Sequence, residues 1–219
     1  MNIKQLHPWP TTTLQAKHIQ EKFRHCVITI NHLTSVQFVA GIDIGFEQNG
    51  TVTRAAVAVL RFPDLQLVEQ QVVRCKTVFP YVPGYLSFRE APAALAALQQ
   101  IKTPVDLLLC DGQGIAHPRR FGIACHLGLI TNLPSIGVAK SRLIGSNPPV
   151  NAIKGDWQPL THHNDVIGAV LRTRTNIKPL YISVGHKIDL NTAIHYTLRC
   201  LTKYRLPETT RWAHKLASG

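Results

Sequence analysis

The sequence predicts an α/β fold: a sheet of mixed direction with helices on both faces. Two observations carry that expectation. Three strand-like runs, at 38–46, 52–62 and 65–78, follow one another across short turn-forming gaps and should make an antiparallel meander. Beyond a helical stretch, residues 105–110 are apolar apart from Asp106, as expected of a strand buried on both faces and reached by a crossover. Strands and helices then alternate, the order of a layered α/β sheet. Nothing in 219 residues demands a second core, so one domain spanning 1–219 is expected.

Taken in order, the first element is a helix over 13–28, with Leu14, Ile19, Phe23 and Val27 as its inner face. Glu47-Gln48-Asn49-Gly50 and Pro63-Asp64 supply the turns of the meander. The stretch FPYVPGYLSFRE at 79–90 then joins a stiff loop to a helix. Tyr81 stands between Pro80 and Pro83, whose rings fix φ and remove donors, so it sits on an exposed tip. Gly84 permits a positive φ. The helix starts at Ser87, and Ser87-x-x-Glu90 fits a capping box in which Glu90 does no more than satisfy the helix terminus. A helix over 119–131, strands at 134–139, 166–174 and 180–184, a helix over 191–204 and a last helical segment at 207–216 complete the chain. There is no internal repeat and no low-complexity linker.

Lysine and arginine outnumber aspartate and glutamate by 24 to 12, and the resulting charge of +12 points to a polyanionic partner. No apolar run reaches membrane-spanning length, and His7, Pro8 and Pro10 interrupt any signal peptide, so a soluble cytoplasmic protein with no membrane partner is expected. Cys26, Cys75, Cys110, Cys125 and Cys200 are scattered without a CxxC pair, which excludes a disulfide framework and a structural zinc.

Most of the few carboxylates have ordinary roles. Asp64 belongs to a turn, Asp106 precedes a strand, Asp189 caps a helix, and Glu21, Glu47, Glu69 and Asp156 lie in polar surroundings. Asp43 in FVAGIDIGF and Asp111 in VDLLLCDGQG do not fit that pattern. Ionised inside such apolar runs, each costs on the order of several kcal/mol unless a cation or a full set of donors meets it. If their strands are parallel neighbours, both project near the carboxyl end of the sheet, and Glu90 can join them. Three converging carboxylates repel unless divalent cations sit among them, and oxygen donors favour Mg²⁺. Such a site activates water and neutralises charge on a phosphodiester; in a two-ion version the ions stand ~3.5–4 Å apart.

GIDIGF at 41–46, FPYVPGYLSFRE at 79–90, LLLCDGQGIAHPRRFGIACHLG at 107–128 and PSIGVAKSRLIG at 134–145 together resemble the endonuclease V family of deoxyinosine-specific nucleases. GAVLRTR at 168–174, PLYISVGHKIDL at 179–190 and LPETTRWAHK at 206–215 extend the resemblance over nearly the whole chain. It implies a ribonuclease H-like fold, with the antiparallel three-strand meander followed by parallel strands. It assigns metal binding and catalysis to Asp43, Glu90 and Asp111, with Mg²⁺ as cofactor and Mn²⁺ able to substitute. The resemblance also implies that His214, by residue type alone a surface histidine, completes the active site; Lys140, otherwise a surface lysine, stands at a strand end beside the site, which suits a point charge on the substrate phosphate. His117, otherwise a loop histidine bonded to a backbone carbonyl, is placed beside a flipped base.

A base inside a duplex must be unstacked to be inspected, which calls for a wedge and a pocket. Tyr81, stiffened by Pro80, Val82 and Pro83, suits the wedge; Gly84, Leu86, Gly112, Gly122 and Ile123 suit the pocket. Arg119 and Arg120 are read as phosphate contacts in preference to a solvated helix start. The function implied is a Mg²⁺-dependent endonuclease that recognises deoxyinosine in DNA. It hydrolyses the second phosphodiester on the 3′ side, leaving 3′-hydroxyl and 5′-phosphate ends. Alternatives are an endoribonuclease acting on inosine in RNA, a non-catalytic lesion-binding protein that recruits a nuclease and, last, a ribonuclease of RNA–DNA hybrids. A monomer is expected.

Overall fold

Short turns between apolar runs do produce the meander. In the computed structural model, which describes residues 3–219, β1 (Phe38–Glu47), β2 (Val52–Arg61) and β3 (Gln66–Lys76) pair antiparallel in sequence order. Helix α2 (Leu86–Gln100) crosses over to β4 (Leu107–Cys110), and α3 (Ile123–Thr131) to β5 (Ser135–Ala139); both strands lie parallel to β1. β6 (Trp157–His162), β7 (Asp165–Leu171) and β8 (Leu180–His186) complete one eight-stranded sheet in the order β3-β2-β1-β4-β5-β8-β7-β6. The parallel part therefore ends at β5, because β8, β7 and β6 all pair antiparallel. β6 escaped the sequence reading: it is an edge strand, mostly half-exposed and interrupted by Pro159, which only an edge tolerates.

The sheet buries both faces. Ala40, Ile42, Val57, Leu108 and Cys110 meet Leu98 of α2 and Leu127 of α3, while Val39, Leu60, Leu109, Ile136 and Ile182 meet Ile194 of α4 (Leu190–Arg199) on the other side. Consecutive residues of β1 and β4 thus point to opposite cores, which is why these strands read as unbroken apolar runs.

Several helix boundaries differ from the sequence reading. α1 is Thr13–Phe23, followed by one 3₁₀ turn at Arg24–Cys26, and its inner face is Ala16, Ile19 and Gln20, with Leu14 77% exposed. α2 begins at Leu86, and its N-cap residue Tyr85 makes no side-chain cap. Ser87 lies inside the helix with its Oγ unbonded, so Ser87 and Glu90 form no capping box. The chain does contain one, at Thr12 and Gln15 of α1. α3 begins four residues later than expected, because Arg120 takes a positive φ of 56° and Gly122 is extended. Asp189 caps α4 as expected, accepting from the Thr192 amide. The last helix, α5 (Glu208–Ser218), lies on β1 and β2.

Candidate active site

The run Gly41-Ile42-Asp43-Ile44-Gly45 decides where the first carboxylate meets its partners. Strand alternation puts Gly41, Asp43 and Gly45 on one face of β1, and α5 crosses that face at backbone contact. A Cβ on Gly41 would stand 2.0 Å from the Thr209 carbonyl oxygen, and one on Gly45 2.4 Å from that of Ala217. Between the glycines, Asp43 Oδ2 lies 2.6 Å from Nδ1 of His214, and Asp43 Oδ1 accepts from the Ile44 amide at 2.9 Å. The chain leaving β4 enters Asp111, whose amide donates to the Ile42 carbonyl at 3.0 Å, so the two carboxylates sit at one level of the sheet. One ligand atom each from Asp43, Asp111 and His214 falls within 4.8 Å of the others.

Glu90 stands outside this tight group but lines the same cleft as Asp111. Burial first, and then the charges of Asp43 and Asp111, push its carboxyl up from 4.5 to about 8. Asp111 is raised by burial and by Asp43, against the opposing pull of Lys140, whose Nζ forms an ion pair with Asp111 Oδ2 at the end of β5. Crowded carboxylates that cannot all ionise comfortably, beside an imidazole, are suited to holding a divalent cation.

This strain has a pH signature. Between 4.5 and about 8 the folded protein holds a proton on Glu90 that the unfolded chain has released, so raising pH through that window favours unfolding. In a chelator, the melting-temperature advantage of Glu90→Gln over the parent should grow from pH 5 to pH 8, a comparison in which the buried histidines that gain stability over the same window cancel, and added Mg²⁺ should shrink it. A difference that stays constant or falls across that window would contradict it.

Beside the carboxylates opens a cleft of roughly 410 Å³. Tyr81, Pro83, Gly84 and Leu86 form one wall; Gly112, His117, Gly122 and Ile123 are also in its lining, whereas Pro80 and Val82 are not. Tyr81 is 68% exposed. Gly84, at φ +81°, turns a carbonyl toward three donors: Gln20 Nε2 at 3.1 Å, His117 Nε2 at 3.0 Å and Arg119 Nη2 at 2.6 Å. His117 Nδ1 accepts from the Arg119 amide, so its proton is on Nε2, and burial with the Arg119 charge lowers its pKa to about 4. It is therefore a neutral brace bonded to a backbone carbonyl and a cleft residue at once.

Arg119 and Arg120 are not free for phosphate. Arg119 is spent on Gln20, Gly84 and the face of Tyr85, and Arg120 on the His117 and His162 carbonyls and Asp165. Sequence reasoning also missed Gln20, which is fully buried in α1, and Gln113, Ser141, Arg142 and Leu143 of the cleft lining. Gln20 carries no sequence signal, whereas the last three directly follow Lys140. A larger groove of roughly 730 Å³ beside β3 is less suited to the chemistry, since Glu47 in its lining is already paired with Arg54 and Arg74. All five cysteines are free thiols, and among the described residues no helix is long and apolar enough to cross a membrane.

The family model for Endonuclease V matches residues 21–215. Endonuclease V of Trichormus variabilis is 62% identical over 220 residues, covering the whole of both chains. Among solved structures, Endonuclease V from Streptomyces avermitilis superposes with a TM-score of 0.91 at 40% identity, covering 100% of this chain and 96% of that one. Endonuclease V of Ciona intestinalis, in complex with a 24mer DNA containing an inosine followed by a ribo-adenosine, superposes at 0.83 with 30% identity, over 94% and 96% of the two chains.

Proposed function

Because the chain belongs to the endonuclease V family, a family of nucleases, we propose that it is a Mg²⁺-dependent DNA repair endonuclease. In this reading it recognises deoxyinosine and cuts the second phosphodiester on its 3′ side, leaving a 3′-hydroxyl and a 5′-phosphate. The observation that carries it is the shared lining: Glu90 and Asp111 belong to the same cleft as Tyr81, Gly84 and Ile123, so a base held there keeps its own strand beside the carboxylates. The Ciona relative is described with inosine-containing DNA, which supports the substrate.

The residues divide the work. Tyr81, exposed on its proline-stiffened tip, enters the stack as the base leaves it. Gly84, braced by Gln20, His117 and Arg119, holds the cleft wall still, so little ordering is spent on binding. Asp43, Asp111 and Glu90 are the residues to hold the ion, which when bound supplies charge neutralisation and an activated water. Asp43 fixes Nδ1 of His214, leaving the Nε2 of this half-exposed ring to exchange a proton with water or with the leaving 3′ oxygen. Lys140, held by Asp111 at the cleft edge, puts its ammonium where a phosphate oxygen can replace the carboxylate. We further place the protein in the cytoplasm as a single-domain monomer, in keeping with its free thiols and its one continuous sheet.

The decisive experiment maps the cut on a duplex with one deoxyinosine, with and without Mg²⁺. A nick at the second 3′ phosphodiester in Mg²⁺ alone is expected; cutting elsewhere, or in a chelator, overturns the assignment. Because the Ciona complex carries a ribo-adenosine after the inosine, a matched inosine-containing RNA run in parallel decides whether an endoribonuclease is the better description. Tyr81→Ala should weaken deoxyinosine binding by roughly tenfold or more, as a lost base–aromatic stack of about 1–3 kcal/mol implies. Metal binding, followed by calorimetry, should stay the same, and an unchanged lesion affinity removes the wedge role.

A further inference from the structure

Two polar atoms in the cleft lining are buried and have no hydrogen-bond partner among the described residues: Oγ of Ser87 and Oε1 of Gln113. Such orphans are rare, since a buried polar atom without a partner is destabilising, and they are informative when they lie in a cleft. Ser87 is 4% exposed, in the first turn of α2, one turn before Glu90. Gln113 follows Gly112 just after β4 and donates its Nε2 to the Ser141 carbonyl at 3.0 Å, tying the floor of the cleft to its far rim. That bond also settles which way round the amide sits, because the flipped rotamer would set two carbonyl oxygens against each other. The unpaired atom of Gln113 is therefore an acceptor that cannot become a donor.

We propose that Gln113 is the side chain that distinguishes a deaminated purine from adenine, its Oε1 accepting the ring N1–H, with Ser87 Oγ donating to the neighbouring C6 carbonyl oxygen. The inference rests on the deoxyinosine reading above and goes beyond it by naming the discriminating atom. Deamination of adenine replaces the amino group at C6 with a carbonyl and moves a proton onto N1. The ring edge changes from acceptor-then-donor to donor-then-acceptor. Hypoxanthine satisfies both orphans together. Adenine would turn its N1 lone pair toward Oε1, leaving two acceptors facing each other in a dry site. Ser87 contributes less to the choice, because its hydroxyl can rotate and accept from an amine as readily as it donates to a carbonyl. Gln113 has no such freedom while its amide is held by Ser141.

The test compares the full chain with Gln113→Met and Ser87→Ala, binding in Ca²⁺ to duplexes that differ at one base. One carries deoxyinosine, one deoxynebularine (the unsubstituted purine, with an N1 acceptor and no C6 oxygen) and one adenine. The parent should favour deoxyinosine over deoxynebularine by about tenfold or more, as one unmatched buried polar contact implies. Gln113→Met should remove most of that preference, leaving only what the Ser87 contact to the C6 oxygen supplies, by weakening deoxyinosine binding about tenfold, with deoxynebularine binding kept within about twofold, which also reports an intact fold. Ser87→Ala should weaken deoxyinosine binding by no more than about half that factor. The inference is overturned if Gln113→Met keeps the parental ratio, or if it weakens both duplexes alike, which would make Gln113 a structural tie only. A parent that binds deoxyinosine no better than adenine instead overturns the deoxyinosine reading, and the inference with it.

Discussion

Asp43→Ala is expected to lower single-turnover cleavage of a deoxyinosine duplex by roughly 10³-fold, equivalent to about 4 kcal/mol of lost transition-state stabilisation. Lesion binding in Ca²⁺ should stay within about threefold, because the wedge and the cleft belong to other residues. Two effects combine in this one substitution. It removes a carboxylate from the group Asp43, Asp111 and His214, and it deletes the acceptor 2.6 Å from His214 Nδ1, so the imidazole loses the contact that orients it. Asp111→Ala should be as damaging to cleavage for a different reason. It removes the carboxylate that holds Lys140 and leaves His214 in place. Mg²⁺-dependent nicking retained in either variant would sink the assignment of the catalytic group.

Gly41→Ala should destabilise the protein by about 3 kcal/mol or more, at the upper end of overpacking penalties. The added methyl would stand 2.0 Å from the Thr209 carbonyl oxygen and 2.7 Å from the Thr210 amide nitrogen, both backbone atoms of α5. Backbone cannot swing aside as a flexible side chain can, so α5 must move away from β1. His214 travels with it, which separates the imidazole from Asp43 and should cut cleavage along with stability. Urea unfolding gives the first quantity and single-turnover cleavage the second. A variant as stable and as active as the parent would show that α5 does not lie on β1 as described.

Much of this was legible in the chain. Turns at Gln48-Asn49-Gly50 and Pro63-Asp64 are written in residues with few alternatives, and the meander follows from them. Asp43 and Asp111 stood out because a carboxylate inside an apolar run needs a compensating partner, whatever the fold. Position by position, the family resemblance supplied His214 and the place of His117 beside a base, whereas the wedge and the pocket glycines followed from the need to unstack a base before inspecting it. The structure puts all but Pro80 and Val82 of the expected base-binding residues in one lining.

What failed did so where local preference meets several satisfactory partners. Ser87 and Glu90 read as a capping box, yet the helix starts one residue earlier and both side chains are turned to the cleft lining. Arg119 read as a phosphate contact, but Gln20, ninety-nine positions away, takes its Nε. Edge strand β6 had no apolar alternation to announce it, because half of its environment is solvent.

The sequence by itself determined the class of fold and singled out the two carboxylates and the stiff loop to which the proposed function gives its catalytic and wedge roles. Each of these depends on a residue's own chemistry: a fixed φ, an absent side chain, or a charge too costly to bury alone. Only the tertiary structure decided that His214 meets Asp43, that Glu90 adjoins the group without entering its tightest part, and that Gln113 keeps an unpaired acceptor in the cleft. Those are statements about distance between residues far apart in the chain. Distance of that kind is set by packing, here by two glycines on β1 that let the last helix lie against the first strand.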